Sequence, residues 1–253
     1  MGSKDIFVEN IHFRKDWATP FQIGYKAAVV NISDVLASGA KPAYLTIGLS
    51  LPNNIDNYFI EELYRGIVAG SYGSKIIGGD ITGAEKIMIS ITAIGKTDNR
   101  KISSRSFAQP GDIVVTKGYF GISSKGLNQL FEGKKDTPEI KVHLEPVLNP
   151  EFSELISSNI KRNYAMMDTS DGLADALFQI AKSSNVTISV KEIEGMFGAE
   201  DYNLVAVIPK DNNIDSSSFN IIGQVYPYEG FYLKVGDKKY NNYDDLNLFN
   251  HFN

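Results

Sequence analysis

The chain has 253 residues, with 25 Lys and Arg against 30 Asp and Glu, so its formal charge is −5. That balance offers no general attraction for a nucleic-acid backbone. Cysteine is absent, which excludes disulfides, thiolate nucleophiles and Cys-ligated zinc or iron–sulfur centres.

The first residues lack the pattern of a secretory signal, and no apolar run reaches the roughly 18 residues of a membrane span. A soluble, cytoplasmic chain is expected. Residues 24–39 form an apolar, small-residue stretch closed by Gly39 and Pro42, which predicts a buried helix. Residues 43–51, apolar and β-branched up to Pro52, predict a strand, and 55–72 carry helical spacing at Ile60, Leu63, Ile67 and Val68. Lys75-Ile76-Ile77 leads into a predicted Gly78-Gly79-Asp80 turn, and 87–94 read as a strand. A turn-rich break over 105–112 places a boundary there, giving domains 1–108 and 109–253. Beyond it, 113–116 predict a strand running into a Gly118…Gly121 loop, and 170–184 a helix with Asp171 in its first turn. Strands are predicted over 186–190, 204–208, 221–225 and 231–235, with a polar, aromatic-bearing end from 241. The fold class is α+β.

Three histidines, His12, His143 and His251, would nearly all be consumed by a three-histidine metal site or a Ser-His-Asp triad. Carboxylates are the abundant chemical resource. Asp34 lies among Val29, Val30, Ile32, Val35 and Leu36, and a buried carboxylate needs a cation or several donors. Asn31, three residues earlier, shares its side of the helix. A ligand role and a core acid paired with Lys26 or Lys41 are both open. Asp80 follows two glycines, a way to bring a carboxylate and bare amides close to a bulky anion, or an ordinary turn. In Asp168-Thr169-Ser170-Asp171 two carboxylates and two hydroxyls meet at a helix start. Oxygen-only ligands suit magnesium, whereas a simple helix cap explains one acid and not both. Asp5 with Glu9, and Glu200-Asp201, are weaker candidates. Gly95-Lys96-Thr97 and Gly118…Gly121 fail as a P-loop and as a dinucleotide fingerprint, for want of the required glycines.

Taken together, the ordered segments resemble the thiamine-monophosphate kinase family, in the superfamily of aminoimidazole ribonucleotide synthetase and selenophosphate synthetase. The carrying residues are 5–13, Gly24 to Asp34 with Ser38 to Pro42, Gly78-Gly79-Asp80-Ile81-Thr82, Arg105-Ser106 leading to Pro110-Gly111-Asp112, Asp168 to Leu173, Gly198 to Leu204, and Phe249-Asn250-His251-Phe252. The match covers nearly the whole chain. The resemblance implies a two-domain α+β fold like that of aminoimidazole ribonucleotide synthetase, pairing as a homodimer through its N-terminal domains. It implies ATP-dependent phosphorylation of thiamine monophosphate to thiamine diphosphate, with Mg2+ bridging acids and phosphates.

By motif, it implies Asp5, Asp34, Asp80, Asp168, Ser170 and Asp171 as metal ligands. Lys26, Asn31, Gly79, Thr82 and Arg105 fall on the nucleotide side, and Glu9, His12, Asp201, Tyr202 and Phe252 on the thiamine side. The family pattern also has an upstream Asp-Asp pair, which lies before the first residue of this sequence, and a second threonine where Ile81 stands. Such a reaction needs no strong general base, because a phosphate monoester with a second pKa near ~6 is already largely deprotonated at neutral pH. Charge neutralisation and in-line alignment of two polyanions are what must be supplied. The same motifs also admit an aminoimidazole ribonucleotide synthetase-like enzyme, or a nucleotide-binding dimer module without catalysis.

Overall fold

The computed structural model describes residues 1–248. β1 (Gly2–Val8), α1 (Pro20–Ala37), β2 (Lys41–Leu51), α2 (Asn57–Gly70), β3 (Lys75–Gly83) and β4 (Met88–Lys96) build a sheet of strand order β1-β4-β2-β3 covered by two helices. β2 and β3 run parallel; the other pairs are antiparallel. α1 starts at Thr19, whose hydroxyl accepts from the Gln22 amide while Gln22 reaches back to the Thr19 amide, and Pro20 presets the first turn. It is buried almost all round. α1 and α2 touch backbone to backbone: a Cβ on Gly24 would lie 2.0 Å from the Leu63 carbonyl oxygen, and one on Gly66 1.9 Å from that of Phe21. Any side chain at either crossing would force the helices apart.

The helices cover the sheet face that carries Phe7, Leu45, Ile47, Ile89 and Ile91. On the other face Ile6, Met88 and Ile94 are exposed, and β3 is exposed along its whole length, with Ile76, Ile77 and Ile81 in the open.

The remainder supplies β5 (Ile113–Thr116), α3 (Ile122–Phe131), α4 (Pro138–Leu144), α5 (Pro150–Asn159), β6 (Ala165–Asp168), α6 (Leu173–Ser184), β7 (Val186–Val190), β8 (Leu204–Ile208), β9 (Asn220–Pro227), β10 (Leu233–Val235) and β11 (Lys238–Tyr240). Its sheet runs β11-β10-β7-β9-β5-β8-β6. β6 and β8 are buried on both faces. Met166, Leu204, Ala206 and Ile208 join a core shared with α1 and the first sheet, while Met167, Val205 and Val207 join a second core under α6. Period-two alternation thus splits one apolar run between two cores, with α1 wedged between the sheets.

Several sequence expectations are corrected. Gly78-Gly79-Asp80 is not a turn but the middle of β3, paired with Thr46, Ile47 and Gly48. A Cβ on Gly79 would stand 2.3 Å from the Ile47 carbonyl oxygen, so glycine is what lets β3 approach β2. The helix expected from Ser170 begins at Leu173, leaving Asp171 ahead of it and Asp175 in its first turn. β1, α3, α4, α5 and β11 go beyond the sequence reading: 122–159 mixes short polar helices with loops, β11 is three residues long, and β1 opens on polar residues at the start of the chain. The polar end docks: a 3-10 turn over Tyr243–Leu246 buries Leu246 and sets the Tyr243 ring 6.0 Å from that of Phe178.

Candidate active site

Four carboxylates from three separate segments face one another where α1 passes between the sheets. Asp5 comes from β1, and its amide donates to Asn31 Oδ1 at 3.0 Å. Asn31, buried, donates in turn to the Ala27 carbonyl at 3.0 Å, so it locks β1 onto α1. Asp34 accepts from Ser3 Oγ at 2.5 Å. Asp168, at the end of β6 and 6 % exposed, accepts from Ser33 Oγ at 2.5 Å and has Ser170 Oγ 3.4 Å away. Asp171 follows on the same loop and adds its charge to the field at Asp168.

The electrostatics are those of a site lacking positive charge. Burial, then the charge of Asp34, push the Asp168 carboxyl up to about 7; the Ser33 hydroxyl opposes this, and Asp5 and Asp171 add to it. Burial and Asp34 likewise lift Asp5 to about 6. Asp5 Oδ2 is buried without a hydrogen-bond partner, a cost of ~1–3 kcal/mol unless something meets it. These features fit a divalent cation held by hard oxygens. Among the described residues no group of three or more His, Asp or Glu is arranged to hold a metal ion by itself. Magnesium takes one or two carboxylates and keeps several waters and phosphate oxygens.

A second constellation lies beside this cluster. Lys26, 3 % exposed on α1, reaches Glu200 Oε2 at 3.2 Å and His143 Nε2 at 3.4 Å. Burial and then the Lys26 charge drive the His143 imidazole down to about 4, so it is neutral. Burial pushes the Lys26 ammonium down and Glu200 supports it; as an ammonium it can only donate, which makes Nε2 the acceptor and leaves the ring proton on Nδ1, facing Ser123 Oγ at 2.9 Å and Glu200 Oε2 at 3.4 Å. Burial works against the Glu200 carboxylate, but the charge and hydrogen bond of Lys26, together with the two imidazoles, outweigh it and hold Glu200 below its ordinary range.

The remaining sequence candidates divide. His12 Nδ1 accepts from the Val8 amide at 3.0 Å, and its charge bears on Glu200, which places it at the same constellation. Tyr202 is buried, with its hydroxyl raised by burial first and then by the charges of Glu200, Asp168, Asp5 and Asp171, so it adjoins the acids. Asp201 and Glu9 are engaged by the scaffold. Asp201 accepts from the Gly121 and Ser123 amides at 2.5 and 3.1 Å, capping α3 from a distance, and Glu9 joins the Ile87 amide at 3.0 Å to Lys15 at 2.9 Å. Lys26, buried, spends its ammonium on Glu200 and His143.

Gly79, Asp80 and Thr82 lie on β3, at the opposite edge of the first sheet from β1. Three inter-strand spacings of ~4.8 Å put Asp80 about 14 Å from the strand carrying Asp5, too far to share an ion within one chain. Arg105, in an exposed 3-10 turn, is fixed through its carbonyl by Ser184 Oγ at 2.7 Å, and its charge bears on Asp175. Phe252 lies outside the described residues. Sequence reasoning did not single out Ser33, His143 or Asn203 as site residues. Ser33 and Asn203 had a signal in the motifs that contain them; His143 had none, since its partners Lys26 and Ser123 are remote in sequence.

Residues 2–97 match the family model described as AIR synthase related protein, N-terminal domain. A thiamine-monophosphate kinase from Pyrococcus horikoshii is 35% identical over 246 residues, covering 88% of this chain and 77% of that protein. The Bacillus subtilis thiamine-monophosphate kinase is 31% identical, covering 82% of this chain and 71% of its own. A solved structure described as AaThiL complexed with AMPPCP and TMP superimposes with a TM-score of 0.85 at 29% identity, over 95% of this chain and 84% of that one. With matching fold, ordered motifs and relatives similar over most of their length, the chain belongs to the thiamine-monophosphate kinase family.

Proposed function

We propose that the chain transfers the γ-phosphoryl group of ATP to the phosphate of thiamine monophosphate, releasing ADP and thiamine diphosphate. The observation that carries this reading is the uncompensated cluster of Asp5, Asp34, Asp168 and Asp171, with the orphaned Asp5 Oδ2 at its centre. A phosphate oxygen of thiamine monophosphate attacks the γ-phosphorus in line, and the bond from that phosphorus to the β,γ-bridging oxygen breaks. The attacking oxygen is already anionic, with a second pKa near ~6, so no residue needs to remove a proton. His143, the imidazole held against Lys26, is neutral and spent on Lys26 and Ser123.

Magnesium, when bound, would neutralise the facing phosphates and align them. Asp5, Asp34, Asp168, Ser170 and Asp171 would divide several such ions between them, Asn31 fixing the backbone of Asp5 and Ser33 the carboxylate of Asp168. Arg105 would clamp phosphate from its exposed turn. His12 and Tyr202 would wall the thiamine side, with Asp201 supporting that wall through α3 and Glu9 through β4.

The site extends over two copies. The open β3 edge with Ile76, Ile77 and Ile81, and the bare face with Ile6, Met88 and Ile94, support a homodimer through the N-terminal domain. In it Gly79, Asp80 and Thr82 of one copy would serve the acid cluster of the other. The chain divides into an N-terminal ATP- and metal-binding domain, 1–108, and a C-terminal α+β domain, 109–253. Among the described residues no helix is long and apolar enough to cross a membrane, and the substrates are those of the cytoplasm, where we place the protein. Incubation with ATP, magnesium and thiamine monophosphate should yield thiamine diphosphate stoichiometric with ADP. Folded protein that makes none, or that acts only on a purine precursor, would overturn the assignment.

A further inference from the structure

The Lys26–His143–Glu200 constellation has no step to perform in this reaction, yet it ties the two halves of the chain together directly beside the acids. Glu200 and Tyr202 both adopt left-handed backbone, with φ of 65° and 53°. Such conformations are unfavourable for non-glycine residues and persist only where surroundings impose them. What the segment does with that geometry is grip the metal loop. The Glu200 amide donates to the Ser170 carbonyl at 2.6 Å, the Asn203 amide to Thr169 Oγ1 at 3.1 Å, and the Thr169 amide to the Asn203 carbonyl at 2.9 Å. All three bonds fall on the two residues between Asp168 and Asp171.

The grip is anchored from α1. Lys26 and Ser33 are seven residues apart, two helical turns, and so share a face about 10 Å apart along the axis. One end of that face meets Glu200, the other Asp168. A single rigid helix therefore fixes both the clamp and the acid it serves, and the same helix carries Asp34. His143 braces Lys26 from α4, and Ser123 braces His143 from α3.

We propose that Lys26, with His143 behind it, is a positioning residue that holds Glu200 so that the Glu200 amide sets the Asp168–Asp171 loop opposite Asp5 and Asp34. This rests on the reading of those acids as metal ligands. It replaces the expectation that Lys26 meets the nucleotide.

The test uses the full chain, Lys26→Met, and the charge-balanced double variant Lys26→Met with Glu200→Gln. Magnesium is titrated against thermal stability without substrates, and kcat and KM for ATP are measured separately. The magnesium concentration giving half-maximal stabilisation should rise at least tenfold in both variants, and kcat should fall at least tenfold, with KM for ATP within twofold of the wild type. A raised KM for ATP with an unchanged magnesium midpoint would return Lys26 to the nucleotide and overturn the proposal. So would unchanged values throughout, a double variant that does not fold, or a wild-type chain that magnesium does not stabilise. A wild type that magnesium stabilises but that transfers no phosphoryl group would remove the assigned activity while the shifted midpoint still upholds the positioning role.

Discussion

Replacing Asp168 by asparagine should stabilise the metal-free protein while destroying its activity. Asp168 is buried, and its carboxyl is raised to about 7 by burial and by Asp34, against roughly 3.9 in an unfolded chain. The folded state therefore binds a proton more tightly than the unfolded state, and stability falls as pH rises between those values, by about 1.4 kcal/mol per unit. Between pH 5 and pH 7 that amounts to a loss of up to ~3 kcal/mol, shared with Asp5, whose carboxyl is raised in the same cluster. Asparagine keeps the volume and stays neutral, so its advantage over the wild type should grow across that interval and level off above it. For a chain of this length each kcal/mol moves Tm by about 2–4 °C. The expected gain at pH 8, relative to pH 5, is on the order of 3–10 °C. Thermal melts of both proteins without metal, over pH 5 to 8, make the comparison; magnesium should then raise the wild type more than the variant. Parallel pH profiles, or a variant less stable at pH 8, would refute the claim that these acids are held together against their own repulsion.

Three further outcomes follow from the geometry. Asp201→Ala removes the acceptor of two α3 amides and should cost ~1–3 kcal/mol in chemical denaturation, with no change in the magnesium midpoint. The His143 imidazole, driven down to about 4, should show no change in its ring resonances between pH 8 and pH 5.5; a midpoint near 6.5 would mean the ring is not buried against a charged Lys26. Ile81→Asp, on the exposed β3, should shift sedimentation toward the monomer and lower turnover at least tenfold without lowering the monomer's stability. Unchanged sedimentation would place the pairing surface elsewhere.

What was legible in the sequence is what depends on neighbours in the chain. The apolar runs at 43–51 and 204–208 and the small-residue helix around 24–39 appear close to where they were expected. The spacing of Asp168 and Asp171 correctly signalled two acids on one loop rather than a single cap. Gly78-Gly79-Asp80 misled because glycine pairs usually serve turns, whereas here the missing Cβ admits a neighbouring carbonyl. That Asp201 caps α3 was not legible, because its partners at Gly121 and Ser123 are some eighty residues away. The Glu200 partner of Lys26 was hidden for the same reason, 174 positions away.

The placement of α1 explains why stability and chemistry oppose each other in this chain. A helix wedged between two sheets is the cheapest rigid route for bringing acids of distant segments together, since its burial is driven by Ile32, Val35 and Leu36 on the flanks of Ser33 and Asp34. The apolar flanks that hold it also lower the polarity around the carboxylates, and their mutual repulsion grows accordingly. Hydroxyls and an amide, from Ser3, Ser33 and Asn31, orient the acids or their backbone without cancelling their charge. A lysine among them would relieve the repulsion and close the space a cation needs. The cation on α1 instead lies two turns away, buried against Glu200, where it leaves the repulsion among the acids unrelieved.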